Sequence, residues 1–425
     1  MLRPPRHRPL ALLVLALLVW GCGSATPSAV PSASPTASPT ASPTASPASS
    51  PTASQDREAV YAAINSQVQA IRGLEERKPI VPKIVGREEL ASVIRESFDR
   101  DYPAERIAAD EVLYKGLGLL PADAKLSDVY LDLLESQVAG LYDPTNDGLY
   151  VLSKEGGVGA VEKFFYSHEY DHALQDQHFD LEKFQKDAEG NSDRLMARQG
   201  LLEGDAYTTM TFWLQENLTA PEVGEILAQA NDPEVRAALQ RIPPIVQAQI
   251  LFAATQGTFF VIAEQGKGGW TAINEAFTDP PDSTEQILHP DKWTAREKPI
   301  AVDLPDDLAK EMGSGWKLGL EDTWGEHQLG IWLGGQSGAA AAEGWGGDRI
   351  TLLQGPSGAW AIAWRTAWDS ESEAREFETA ARTALSDVSG KGDVLPGEGG
   401  TTRWVVIGSD AAVLGKIAGV LGLAG

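Results

Sequence analysis

His168, Glu169 and His172 fall within V-E-K-F-F-Y-S-H-E-Y-D-H-A-L-Q-D-Q-H-F-D, residues 161 to 180. On a helix turning ~100° per residue, the two imidazoles lie one turn apart and differ by ~40° around the axis, with Glu169 ~60° further on. Two ring nitrogens can then reach one metal, and the adjacent carboxylate can take a proton from a water on it. The spacing therefore predicts a helix from about Gly159 to Gln177 and the chemistry of metal-assisted hydrolysis.

A second helix is predicted from about Asp193 to Gln215, with Leu195, Leu202, Ala206, Met210 and Trp213 in one sector. Glu203 falls in that same apolar sector. An isolated carboxylate there is costly, and a metal is the most economical partner the sequence offers. The expected ligands are His168, His172 and Glu203, with Glu169 as general base. Gly204 costs about 1 kcal/mol inside a helix, which points to a close backbone approach or a local irregularity at that place. Ahead of the motif, residues 137 to 153 carry two β-prone runs around Asp143-Pro144 and Asn146-Asp147-Gly148. They predict a hairpin with a loop longer than two residues. Its edge could pair with an extended peptide, or the hairpin could be purely structural.

The first 21 residues carry Arg3, Arg6 and Arg8, then an apolar run from Leu10 to Trp20 and Gly21 before Cys22. That run is too short to span a bilayer and reads as a secretion signal. Cys22 is the sole cysteine, so disulfides and thiolate ligands are excluded and any metal site must use His, Asp and Glu. Residues 22 to 55, almost all Ser, Ala, Pro and Thr after the cysteine, read as a tether reaching on the order of 90 Å. The net charge of −25 argues against nucleic acid as a partner.

About 370 residues remain, enough for two domains. Residues 56 to 300 read as mainly helical, with four helices before the hairpin. Helical segments continue to Phe260, and G-K-G-G-W at 266 to 270 reads as a turn, since the G-x-x-x-x-G-K-[ST] order is absent. Residues 301 to 425 read as a small α+β unit rich in tryptophan, from Trp316 to Trp404. Those rings serve as core packing or as a binding surface. The expected fold class is α+β.

Val19-Trp20-Gly21-Cys22 resembles a bacterial lipobox, which implies lipidation of Cys22 and a membrane anchor on the extracytoplasmic face. The H-E-x-x-H motif and later glutamate resemble the zincin metallopeptidases of the gluzincin type. More narrowly, H-E-Y-D-H-A-L-Q-D-Q, L-L-E-G-D-A, S-T-E-Q-I-L-H-P and G-W-G-G-D-R resemble a group of exported prokaryotic proteins with a metallopeptidase domain. The resemblance covers most of residues 56 to 425. It implies a zincin-like domain, Zn2+ as cofactor and a peptide or protein as substrate. The departure is Asp171, a charge at a middle position where zincins have uncharged residues. Three readings stand for it: a partner of a ligand imidazole, a solvent-facing substitution, or the mark of a decayed site.

Asp176, one turn after His172, and Asp205, two residues after Glu203, are further candidates to orient a ligand histidine. For a donor to a developing oxyanion the candidates are His289, Tyr207 and His178. His289 is favoured because its loop could close over the cleft, whereas His178 also reads as a helix C-terminal cap. Three functions follow as expectations: a lipid-anchored zinc endopeptidase, a surface lipoprotein with a structural zinc site, or a zinc hydrolase acting on cell-wall peptides.

Overall fold

A computed structural model describes residues 57–137, 139–152 and 157–423; the leader, Cys22 and the tether lie outside the described residues. The chain is α+β. It enters through α1 (Arg57–Arg72), where Tyr61, Ile64 and Val68, spaced three and four apart, form the buried stripe. Three further helices follow: α2 (Arg87–Asp101), α3 (Ala104–Gly116) and α4 (Leu126–Gln137).

The expected hairpin is β2 (Gly140–Asp143) and β3 (Gly148–Leu152), joined by a four-residue loop, with Asp147 in the left-handed region at φ 51°. A short strand that the sequence pattern did not reveal, β1 (Lys83–Val85), pairs parallel to β3, so the sheet order is β1-β3-β2. Gly140 lies opposite Val151 and Asp143 opposite Gly148. The Leu152 amide donates to Ala139 at 3.0 Å, so the alternation of antiparallel pairing turns the backbone groups of Gly140 and Tyr142 away from β3. They form the outer edge of this sheet.

Next come α5 (Ala160–Phe179), α6 (Leu181–Lys186) and α7 (Ser192–Asn217). Helix α5 is buried on all sides rather than along one stripe. Tyr166, Tyr170 and Leu174 pack with α1 and the hairpin, while Phe164 and Phe165 pack with Met210 of α7. Asp180, at φ 56°, ends α5 and caps α6 by accepting from the Lys183 amide at 3.1 Å.

The helical part continues with α8 (Ala220–Ala230), α9 (Pro233–Arg241) and α10 (Pro244–Phe252). A π-helical turn, Ala253–Gly257, leads into α11 (Thr258–Thr278). The run Pro244–Thr278 is long and apolar enough to cross a membrane by length and composition. Phe252, Phe260, Val261 and Ile273 are buried with Leu201 and Leu202 of α7, whereas Phe259 and Ile262 are exposed. The glycine-rich stretch read as a turn is a break inside α11, where Gly268 and Gly269 leave helical geometry and Gly269 has φ 64°. Short helices α12 (Thr284–Leu288), α13 (Pro290–Thr294) and α14 (Leu308–Glu311) complete this part.

The C-terminal part is a five-stranded antiparallel sheet in the order β4-β5-β6-β8-β7. Its elements are β4 (Lys317–Asp322), α15 (Gly325–Trp332), α16 (Gln336–Ala342), β5 (Trp345–Gln354), β6 (Trp360–Trp368), α17 (Glu371–Ala384), β7 (Lys391–Pro396), β8 (Thr402–Gly408) and α18 (Ala411–Val420). Side chains alternate between two cores. Ile362, Trp364, Val405 and Ile407 face α17, whereas Ala361, Ala363, Trp404 and Val406 face α14 and α18. Trp324, Trp332, Trp345, Trp364 and Trp368 are buried, so these tryptophans are core packing. Leu90, Ile94, Phe98 and Leu113 of the N-terminal helices share one core with Trp324, Ile350 and Trp364. Apolar packing is thus continuous across the boundary expected near residue 301.

Candidate metal centre

The two predicted helices bring His168, His172 and Glu203 together. The histidine Nε2 atoms lie 3.1 Å apart, and Glu203 Oε2 is 3.3 Å from His168 Nε2 and 3.6 Å from His172 Nε2. For four ligands at roughly 2.0–2.1 Å in a tetrahedron, neighbouring donor atoms are ~3.3–3.4 Å apart. The three atoms therefore outline a face of the right size for a small divalent cation. All three residues are buried.

Glu203 Oε1 accepts from Gln199 Nε2 at 2.8 Å, but the Oε2 aimed at the imidazoles has no hydrogen-bond partner. A buried carboxylate oxygen left so is costly unless a cation completes it. The electrostatics agree. Burial opposes the charged form of His172, yet Glu203 and then Glu169 overcome this and hold its pKa up at about 9. Burial likewise opposes ionised Glu203, and His172 and His168 overcome it, bringing it down to about 2. His168 is pushed down to about 4 by burial, against the pull of Glu203. The cluster favours one positive charge among its three donor atoms.

His172 is aimed by Gln175, which sequence reasoning missed. Gln175 Nε2 donates to Asp205 Oδ2 at 2.9 Å, Leu202 O at 3.1 Å and Asp171 Oδ2 at 3.2 Å. With the amide nitrogen so committed, Oε1 faces His172 Nδ1 at 2.8 Å. Oε1 can only accept, so Nδ1 carries a proton and Nε2 is the nitrogen turned to the site. Asp171 and Asp205 thus reach the histidine through Gln175, one bond further out than expected. Asp171 is fully buried, which excludes the solvent-facing reading, and burial with the neighbouring Asp205 pushes its pKa up to about 8. The available signal was a glutamine three residues after His172, on the same helix face.

Glycines set the approach of α7. A Cβ on Gly204 would lie 2.2 Å from Gly257 O, and one on Gly257 2.0 Å from Gly200 O, so α7 and the π-helical turn touch backbone to backbone. This is the close approach expected at Gly204, and it places the π turn against the helix that carries Glu203.

Glu169 lies under the outer edge of the small sheet. Its Oε2 accepts the Tyr142 amide at 2.9 Å, and burial raises its pKa to about 7. A Cβ on Gly140 would come within 3.2 Å of Glu169 Cγ, so the strand passes close over the carboxylate.

The remaining candidates have other positions. Asp176 accepts from Tyr142 Oη at 2.7 Å and from the Leu181 amide at 2.9 Å, holding the hairpin rather than a histidine. The Tyr207 ring packs at 4.8 Å on His168. His178, in the last turn of α5, bonds Glu75 O at 2.8 Å. His289 ends α12 and bonds Glu326 at 2.9 Å, in the seam with the C-terminal sheet. In that seam Asp193 accepts from Thr284 and Asp348 accepts from the Trp324 and Gly325 amides, so S-T-E-Q-I-L-H-P and G-W-G-G-D-R meet there as structural joints.

A domain family of unknown function (DUF8575) matches residues 317–416, which is the five-stranded sheet with most of its last helix. A structure from Chloroflexus aurantiacus described as "a putative hydrolase with a novel fold" is similar at 18% identity, covering 56% of this chain and 89% of that one, with a TM-score of 0.35. No curated protein matches.

Proposed function

We propose that this chain is a zinc-dependent peptide hydrolase, held outside the cytoplasmic membrane by lipid on Cys22. The observation that carries the reading is the unpartnered Glu203 Oε2 facing two imidazole nitrogens, with Glu169 beside them under a strand edge. His168, His172 and Glu203 would hold the metal. Zn2+ there supplies Lewis acidity toward an amide carbonyl and toward water.

The chain's own residues divide the remaining work. Glu169, raised to about 7, can accept a proton from water near neutral pH and return it to the leaving amine. The Tyr142 amide fixes the orientation of that carboxylate. The outward backbone groups of Gly140 and the outward carbonyl of Tyr142, whose amide is taken by Glu169, can pair with an extended peptide and lay its carbonyl beside Glu169. His289 takes no part in this scheme.

One observation favours a second reading, a surface lipoprotein whose metal is structural: His168, Glu169, His172 and Glu203 are all at most 4% exposed. Turnover therefore requires a covering element to move. The test is metal content and peptide-library cleavage of the purified chain, with His172→Ala as control. One zinc per chain, lost in the variant, with chelator-sensitive cleavage supports the hydrolase. Zinc without cleavage moves the structural reading ahead, and no zinc overturns the site.

A further inference from the structure

We infer that Arg72, the last residue of α1, is a positioning residue of the metal centre, acting on His172 through Asp205 and Gln175; this rests on the metal reading above. Arg72 is fully buried, and its Nε lies 2.7 Å from Asp205 Oδ1. The contact is one of charge and packing, since the guanidinium nitrogens make no aligned hydrogen bond; the group lies over the Trp270 ring, 4.7 Å from its centroid. Asp205 Oδ2 in turn accepts from Gln175 Nε2, whose Oε1 faces His172 Nδ1. Three helices, α1, α7 and α5, each contribute to this line.

The geometry of α1 delivers Arg72 to that point. Tyr61 stacks on Tyr166 at 4.2 Å, Asn65 accepts from Tyr166 Oη at 2.8 Å, and Gln69 donates to Tyr170 Oη at 3.0 Å. On α7, Trp213 Nε1 donates to Gln67 at 2.8 Å. These contacts fix the register of α1 against the helix bearing the histidines. Gly73, at φ 74°, ends the helix directly after Arg72.

A charge is needed there because Asp171 and Asp205, both fully buried, bond the same Gln175 amide nitrogen. An ionised carboxylate in a dry interior, with a second carboxyl group beside it, is costly unless a cation lies against it. Without Arg72, Asp205 has no reason to stay, Gln175 loses its fixed orientation, and the His172 ring is free to turn. The helix that follows the tether is thereby part of the metal centre, although none of its residues is a ligand.

The experiment compares the full chain with Arg72→Gln, Arg72→Lys and Asp205→Asn. Zinc affinity is measured by competition with a chromophoric chelator, the visible spectrum of the Co2+ form is recorded, and the thermal unfolding of metal-free protein shows that each variant is folded. The expected result is at least tenfold weaker zinc binding and an altered Co2+ spectrum for Arg72→Gln, with Arg72→Lys within threefold of wild type. A folded Arg72→Gln protein with wild-type affinity and spectrum overturns the inference, as does a Lys variant as weak as the Gln variant. Should Arg72→Gln not fold, Asp205→Asn carries the test: at least threefold weaker binding supports the inference, and unchanged binding overturns it. Wild type that binds neither metal is a separate outcome, which removes the metal reading itself.

Discussion

Gln175 Oε1 lies 2.8 Å from His172 Nδ1, and the acceptors around its amide nitrogen leave it no other orientation. The His172 ring is therefore oriented by a carboxamide rather than by a carboxylate directly. Removing the partner of a ligand histidine typically weakens metal binding about 10–100-fold. Gln175→Leu should do so while the metal-free protein remains folded, as read by chelator competition and thermal unfolding. Unchanged affinity would mean that the imidazole is held by its packing alone.

Gly204 has a different task, that of letting two backbones touch. Its substitution by Ala places a methyl group 2.2 Å from Gly257 O, where nothing flexible can give way. Overpacking of this kind costs about 1–3 kcal/mol. Gly204→Ala should lower the unfolding midpoint and weaken zinc binding together, because the shift is passed to Glu203 next to it. Loss of stability with unaltered zinc affinity would separate the crossing from the site.

The grouping of His168, His172 and Glu203 was legible in the sequence because its pattern is local. His168 and His172 share one helix, and Glu203 betrayed itself as a carboxylate in an apolar sector. Gln175 was not legible, since its role depends on Asp205 and the Leu202 carbonyl arriving from another helix. The edge strands β4 and β7 escaped because a glycine and exposed polar residues interrupt their alternation, and β1 has only three residues. The break at Gly268 and Gly269 was recognised, but the apolar residues on both sides bury their faces and keep the chain helical. Nothing in the local sequence sets Arg72 apart from any other cation at a helix end, and only tertiary packing shows its complete burial.

Access to the buried site should depend on α8 and α9. Ile226 is the one buried residue of α8 and Ala238 the one buried residue of α9 among the described positions. Ile226 joins the cluster of Phe164, Phe165 and Met210, against which Tyr207 and Ala139 also pack, next to His168 and the strand edge. Ile226→Glu should accelerate hydrogen exchange across residues 220 to 241 and speed modification of His168 and His172 by diethyl pyrocarbonate, with the half-buried His289, outside the site, as the reference. Unchanged modification of the two site histidines would show that entry lies elsewhere.

The seam should make stability pH-dependent. Burial raises the Asp193 pKa from 3.8 to about 8, against the opposing hydrogen bonds from Thr284. Between those values the folded state retains a proton that the unfolded chain has lost, so this contribution is complete below about pH 4 and disappears as pH rises through 8. Denaturant titrations of metal-free protein at pH 6 and 8.5 should show a decline that Asp193→Asn reduces by on the order of 1 kcal/mol. An equal decline in the variant would place the titrating group elsewhere.

The central claim is that Glu169 serves turnover while His168, His172 and Glu203 serve the metal. Zinc content and peptide cleavage of wild type and Glu169→Gln, measured side by side, test it most directly. The account predicts about one zinc in each protein and at least a ~100-fold loss of rate in the variant. Cleavage undiminished in Glu169→Gln, or zinc lost with the glutamate, would contradict it.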